Sequence, residues 1–193
     1  PLVQDTAWEG YEEIPSWIMQ GYLTMIVESV KSLENTPTHI FLQAGVGAMA
    51  GAVTGFLANY YGNEKPIITI VEPDKADCIY ATALANDGKL HSVNGDLNTI
   101  MAGLACGEPC TLGWDLLSAY ADFFVSIPDS GAAKGMRMFA NPLQGDCRII
   151  SGESGAAPFG FVCEILENDE MADIKEMLGI NENSRLFFIS TEG

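Results

Sequence analysis

The residues of this sequence that could do chemistry fall in short clusters, and the richest is "FLQAGVGAMAGAVTGFLANYYG", Phe41 to Gly62. A hydrophobic run gives way to Gly45, Gly47 and Gly51 and then to apolar residues at helical spacing. A loop that leaves a strand and opens a helix aims several free N–H groups at one point, and the natural guest is a phosphate. Glycine permits this, because it takes positive φ and lets a ligand approach the backbone closely. The same spacing also serves a helix that merely packs tightly against a sheet.

Two other chemistries compete for these residues. "GVGAMAG" approaches a dinucleotide fingerprint, but its last glycine is one residue too far along, and Glu72 stands about where a ribose-binding acid would. A non-catalytic phosphate- or dinucleotide-binding domain is therefore the alternative reading. "ISGESGA" nearly forms a nucleophile elbow around Ser154, with Ala156 in place of the final glycine. That hydrolase order needs a histidine after the serine, whereas His39 and His91 both precede it. The hydrolase reading fails, and His39, before an apolar strand, reads as a satisfied structural residue.

Five cysteines, Cys78, Cys106, Cys110, Cys147 and Cys163, make an odd set. "CGEPC" offers a close pair with no second pair or nearby histidine to complete a zinc site, so no metal is expected. The thiols read as mostly reduced in a cytoplasmic protein. A disulfide between Cys78 and Cys106 stays open.

The net charge of −17, from 26 acidic and 9 basic residues, disfavours nucleic acid and anionic membrane as partners. A small anion is not excluded, since helix-start amides act locally. No apolar run is long enough to span a bilayer. Length and composition predict one domain over residues 1–193. Pro1 is not an initiator Met and Gly193 follows directly on an apolar run, so both ends read as cut from something longer.

The elements that must position these clusters alternate between strand and helix. "PSWIMQGYLTMIVESVKSLE" predicts a helix with Pro15 in its first turn and Trp17, Met19, Leu23, Ile26, Val27 and Val30 on its apolar face. "THIFLQAG" and "KPIITIVEP" predict strands buried on both faces. The helix after the first opens at the glycines; the helix after the second, "DKADCIYATALAND", would start at an Asp74 cap and end before Gly88. "LNTIMAGLA" and "GWDLLSAYADFF" look helical, and "FFVSIP" enters a third strand. A helix begins at Asp129 or Ser130, "RIISGES" is a short strand or a lead-in loop, "GAAPFGFVCEILE" and "MADIKEMLG" are helices, and "SRLFFIST" is the last strand. Such alternation predicts an α/β fold: an open, twisted, mostly parallel sheet with helices on both faces. Ligands of such folds bind beyond the carboxyl ends of the strands, which singles out "QAGVGAMAG", "VEPDKAD", "SGESGA" and "STEG".

In order along the chain, "QDTAWEGYEEIPSWIMQGY", "LQAGVGAMAG", "VEPDKADCIY", "TIMAGLACGEP", "RIISGESGA" and "FFISTEG" resemble the carboxyl-terminal portion of the diaminopropionate ammonia-lyases. These belong to the fold-type II pyridoxal-phosphate enzymes, and the resemblance covers nearly the whole chain. It implies that Gly45, Val46, Gly47, Ala48 and Met49 hold the phosphate of pyridoxal 5'-phosphate, with Ala48 in place of a serine found in some relatives. It implies that a hydroxyl after the final strand, Thr191 in preference to Ser190, bonds the pyridine nitrogen. A neutral hydroxyl leaves that nitrogen free of an enforced proton and makes the cofactor a weaker electron sink, which suits elimination. Glu153 resembles an acid near the ring's phenolate side.

Asp5 resembles the active-site acid, acting as a general base toward one enantiomer or holding the substrate ammonium; otherwise it only caps the helix entry before Trp8 and Tyr11. Glu72 is expected to be structural, beside the site, and Trp8 and Met49 to be pocket lining or core. The implied activity is α,β-elimination of ammonia from 2,3-diaminopropionate, giving pyruvate and ammonia, in a homodimer. The lysine that carries the cofactor in this family lies in an upstream segment that Lys31, Lys65, Lys75, Lys89, Lys134 and Lys175 do not match. The resemblance therefore makes this chain a fragment inactive on its own, with apolar surface exposed and a tendency to self-associate.

Overall fold

The computed structural model describes residues 3–192, so the expectations about Pro1 and Gly193 lie outside the described residues. The elements run in the order α1 (Glu13–Ser32), β1 (His39–Gln43), α2 (Ala48–Tyr61), β2 (Ile67–Pro73), α3 (Cys78–Ala85), α4 (Thr111–Tyr120), β3 (Phe123–Ile127), α5 (Asp129–Ala140), α6 (Glu153–Glu167), α7 (Ala172–Leu178) and β4 (Leu186–Phe188). The strands form one four-stranded sheet in the order β3-β2-β1-β4. Every pairing is parallel, with Phe41 opposite Thr69 on one side and Phe188 on the other.

The strand period of two explains the layers. Ile40 and Leu42 of β1, with Ile68 and Ile70 of β2, pack under Ile26 and Val30 of α1, Val53 and Leu57 of α2, Ile79 and Leu117. Their neighbours Phe41 and Val71 face the opposite way and pack with Ala132, Phe161, Ile165 and Leu178 of the later helices. All five β1 residues are buried. A strand apolar on both faces is what a parallel sheet covered twice requires.

Several expectations shift. α1 begins at Glu13, two residues before Pro15, and buries Met19, Ile26 and Val30, while Trp17 is left exposed. α3 begins at Cys78 with Asp77 at its cap position, not at Asp74, which lies in the turn after β2. Residues 97–105 are not helical apart from one 3-10 turn, Ala102–Leu104. Asp129 accounts for this: its carboxylate accepts from the Thr99 hydroxyl and the Ile100 amide, and Thr99 in turn accepts from the Met101 amide. Side-chain bonds of this kind offer the backbone an alternative to the helix. Residues 148–151 are a lead-in loop and not a strand.

Candidate active site

The strand order makes a crevice. The chain runs outward from β1 through β2 to β3, then returns to the other side of β1 as β4, so the connections after β1 and β4 diverge at their carboxyl ends. Between them lies a cleft of about 610 Å³, within the range of small-ligand sites. Asp5, residues 45–49, Ser154, Ser190 and Thr191 line it together.

One wall is the start of α2. Gly47 holds φ +89°, the left-handed region that favours glycine, and no side chain caps the helix. The first amide to find a carbonyl is that of Gly51, 2.8 Å from the Gly47 oxygen. The amides of Gly47, Ala48, Met49 and Ala50 donate to no acceptor among the described residues. Just upstream, the Val46 amide donates to the Cys106 thiol, and the Val46 carbonyl accepts from Cys110 at 2.7 Å. Gly51 has a different task, since a Cβ there would lie 2.7 Å from the Gly113 carbonyl. It lets α2 and α4 cross at contact. The loop thus serves both readings of its spacing: Gly47 turns the amides outward, and Gly51 allows close packing.

The facing wall is the exit of β4. Gln43, 2% exposed, donates from Nε2 to the Ile189 carbonyl at 2.8 Å and to Thr191 Oγ1 at 3.0 Å. Ser190 Oγ is bonded to Ser151 Oγ at 2.8 Å and to the Glu192 carbonyl at 3.1 Å. The Glu192 carboxylate accepts from the Ser154 amide at 2.9 Å, and the Gly152 amide donates to the Glu192 carbonyl at 3.0 Å. These bonds dock the chain after β4 onto the start of α6. Two buried polar atoms here have no partner among the described residues, Ser154 Oγ and Gln43 Oε1.

Asp5 reaches the cleft on a strap tied to the start of α4. The Ala7 amide donates to the Cys110 sulfur at 3.4 Å and the Thr111 amide to the Ala7 carbonyl at 3.2 Å. Burial pushes the Tyr22 hydroxyl and the Cys106 thiol above their ordinary pKa values, and the Asp5 charge adds to both. No lysine or arginine lines the cleft. An anion bound there would therefore rest on backbone amides and the positive end of α2.

Of the residues singled out from sequence, Asp5, Gly45, Val46, Gly47, Ala48, Met49, Ser190 and Thr191 come together, and Glu153 does not. Glu153 is the first residue of α6, and its neighbour Ser154 lines the cleft instead. Sequence reasoning missed Gln43, Tyr22 and Glu192. Gln43 had a signal, a lone polar residue at the carboxyl end of an apolar strand. Trp8 is 41% exposed, stacks on Tyr11 at 4.4 Å and lies outside the lining. His39 is buried and doubly bonded, to Thr38 Oγ1 and to the Leu178 carbonyl, both at 2.8 Å.

Glu72 caps α3 from below. Its carboxylate accepts from the amides of Ile79 at 2.9 Å and Tyr80 at 2.6 Å. Burial nonetheless outweighs these bonds and pushes its pKa up to about 8. Fully buried and so engaged, Glu72 has no oxygen to offer a ribose, which removes the acid that the dinucleotide alternative needs. All five cysteines are free, Cys78 and Cys106 included. No cluster able to hold a metal occurs among the described residues.

A family model described as pyridoxal-phosphate dependent enzyme matches residues 6–177. The chain is 51% identical over 195 residues to the diaminopropionate ammonia-lyase of Escherichia coli strain K12, a match that covers 100% of this chain and 48% of that protein. It is 47% identical over 197 residues to the diaminopropionate ammonia-lyase of Salmonella typhimurium strain LT2, covering 100% of this chain and 49% of the relative. A crystal structure of the Escherichia coli ammonia-lyase, in complex with an aminoacrylate-PLP azomethine reaction intermediate, superposes with a TM-score of 0.89 at 49% identity, over 99% of this chain and 49% of that one. The chain spans about half the length of the curated relatives it matches. With amides fanned at a strand-to-helix turn, a hydroxyl across the cleft and a family match over most of its length, the chain belongs to the pyridoxal-phosphate dependent enzymes.

Proposed function

We propose that this chain is the carboxyl-terminal portion of a diaminopropionate ammonia-lyase, a single α/β domain over residues 1–193, and that it carries most of the cofactor site. The observation that carries this reading is the convergence of unpaired α2 amides, the Thr191 hydroxyl and the Asp5 carboxylate on one cleft. The residues fit the group: orphan amides suit a phosphate ester, and the Ser154 hydroxyl, on a residue that lines the cleft, has no partner among the described residues.

Gly45, Val46, Gly47, Ala48 and Met49 would cup the phosphate, with the Val46 amide turned to Cys106 and the others free. Thr191 suits the ring nitrogen better than Ser190, whose hydroxyl is already bonded to Ser151 and Glu192. Glu153 enters only as a neighbouring charge at the start of α6. When bound, the cofactor supplies an electron sink for the carbon that bears the amino group. Asp5 would then take the α-proton from one enantiomer of 2,3-diaminopropionate or hold its ammonium. The β-amino group would leave as ammonia, and the released aminoacrylate would be hydrolysed by water to pyruvate and a second ammonia.

None of the lysines lines the cleft. The cofactor-bearing lysine and the rest of the substrate pocket would come from the parent's other half, so the isolated chain would not turn over. A homodimer is supported by apolar side chains on the surface, among them Trp17 at 58% and Tyr60 at 58% exposure. A cytoplasmic location is supported by the free cysteines. No helix among the described residues is long and apolar enough to cross a membrane.

The test compares the full-length parent with residues 1–193, following pyruvate release from 2,3-diaminopropionate after addition of pyridoxal phosphate. The parent should release pyruvate and the shorter chain should not. A parent without this activity, or a shorter chain with steady turnover, would overturn the reading.

A further inference from the structure

We propose that Gln43 is a positioning residue that makes the Thr191 hydroxyl a donor toward the cleft, so that the cofactor's ring nitrogen is held unprotonated. The inference rests on the cofactor site proposed above and adds a residue to it. It begins with hydrogen-bond polarity. Gln43 Nε2 lies 2.8 Å from the Ile189 carbonyl and 3.0 Å from Thr191 Oγ1. A carbonyl can only accept, so the amide nitrogen, and not its oxygen, faces Ile189. That nitrogen can only donate. Thr191 Oγ1 must therefore accept from Gln43, which leaves the hydroxyl's single proton for another partner. No acceptor for it occurs among the described residues, and Thr191 lines the cleft.

Burial makes the orientation stiff. Gln43 is 2% exposed, and its side chain crosses from the end of β1 to the exit of β4. Flipping the amide would set its oxygen against the Ile189 carbonyl and leave a buried donor unpaired, which a buried polar group resists. Gln43 Oε1 itself has no partner among the described residues, so only the Nε2 bonds fix the amide's orientation. A ligand atom opposite Thr191 is thus met by an O–H donor and has to present a lone pair. A pyridine nitrogen that keeps its lone pair meets that demand; a pyridinium, itself a donor, does not.

The experiment uses the full-length parent loaded with pyridoxal 5'-phosphate carrying ¹⁵N in the ring, and reads the nitrogen's chemical shift. The wild type should show a hydrogen-bonded, unprotonated pyridine. Gln43→Glu keeps the shape but reverses the polarity. Ionised, the carboxylate only accepts; protonated, its one proton goes to Ile189. In either state the Thr191 proton turns toward residue 43, and the resonance should move upfield to the pyridinium range. In Gln43→Glu with Thr191→Val the displacement should vanish. If it persists there, the added charge and not the hydroxyl causes it, and the proposal falls.

A protonated nitrogen in the wild type, with cofactor bound, overturns this inference alone and decides the matter even if the Gln43 variant does not fold. An unmoved resonance in loaded Gln43→Glu overturns it as well. A wild-type parent that binds no cofactor overturns the proposed site together with it.

Discussion

The amides of Ile79 and Tyr80 both converge on the buried carboxylate of Glu72, with Ile79 at 2.9 Å and Tyr80 at 2.6 Å. This contact fixes where α3 begins, and it makes stability sensitive to pH. Burial raises the Glu72 pKa to about 8. At low pH the carboxyl is protonated in both folded and unfolded chains. As pH rises toward about 8 the unfolded chain ionises while the folded one keeps its proton, so stability falls, and the loss levels off once both are ionised. Glu72→Gln should flatten that slope. It should also cost about 1–3 kcal/mol at low pH, because one amide loses its acceptor. Denaturant midpoints of wild type and variant across this pH range check both statements.

Gly51→Ala tests the crossing of α2 and α4. The new Cβ would sit 2.7 Å from the Gly113 carbonyl, which is backbone and cannot swing aside. Overpacking of this kind costs about 1–3 kcal/mol. The shift would also move the first turn of α2, so cofactor affinity in the full-length parent should fall together with the denaturation midpoint. Gly55→Ala, whose neighbours are the flexible tips of Leu116, should be milder on both counts.

The contrast between these two sites shows what a sequence discloses. β1 and β2 were legible because a parallel strand buried on both faces must be a short continuous apolar run, as "HIFLQ" and "IITIVEP" are. The glycine loop was legible because Gly47 needs the left-handed region. The start of α3 was not, since its amides are met by Glu72 from within the preceding strand and Asp74 is bypassed. The failed helix at 97–105 depends on Asp129, some 30 residues downstream. The cleft's second wall was hidden for the same reason. Glu192 and Ser154, 38 residues apart, meet only when β4 returns beside β1.

Asp5→Asn in the full-length parent should lower turnover of one enantiomer of 2,3-diaminopropionate by about 10²–10⁴-fold, the usual scale for loss of a general base. Cofactor binding should be preserved, because the proposed phosphate contacts are backbone amides of residues 45–49 and not the Asp5 carboxylate. Steady-state rates with each enantiomer, beside the cofactor's visible absorbance, separate the two effects. An equal loss for both enantiomers with weakened substrate binding would instead assign Asp5 to the substrate ammonium.

Lys134 offers a control away from the cleft. It pairs with Glu164 at 2.7 Å and Glu167 at 2.8 Å, both half-exposed. Solvent-screened pairs contribute about 0–1 kcal/mol. Lys134→Met should therefore shift the denaturation midpoint little and leave cofactor affinity unchanged.

The claim on which the rest depends is that peptide amides at the start of α2 hold the phosphate ester. A crystal structure of the full-length parent with pyridoxal phosphate tests it directly. The ester oxygens should lie within hydrogen-bond distance of amides between Gly45 and Met49, with the ring nitrogen facing Thr191. A cofactor whose ester is lodged elsewhere, with those amides bonded to water alone, would contradict the account.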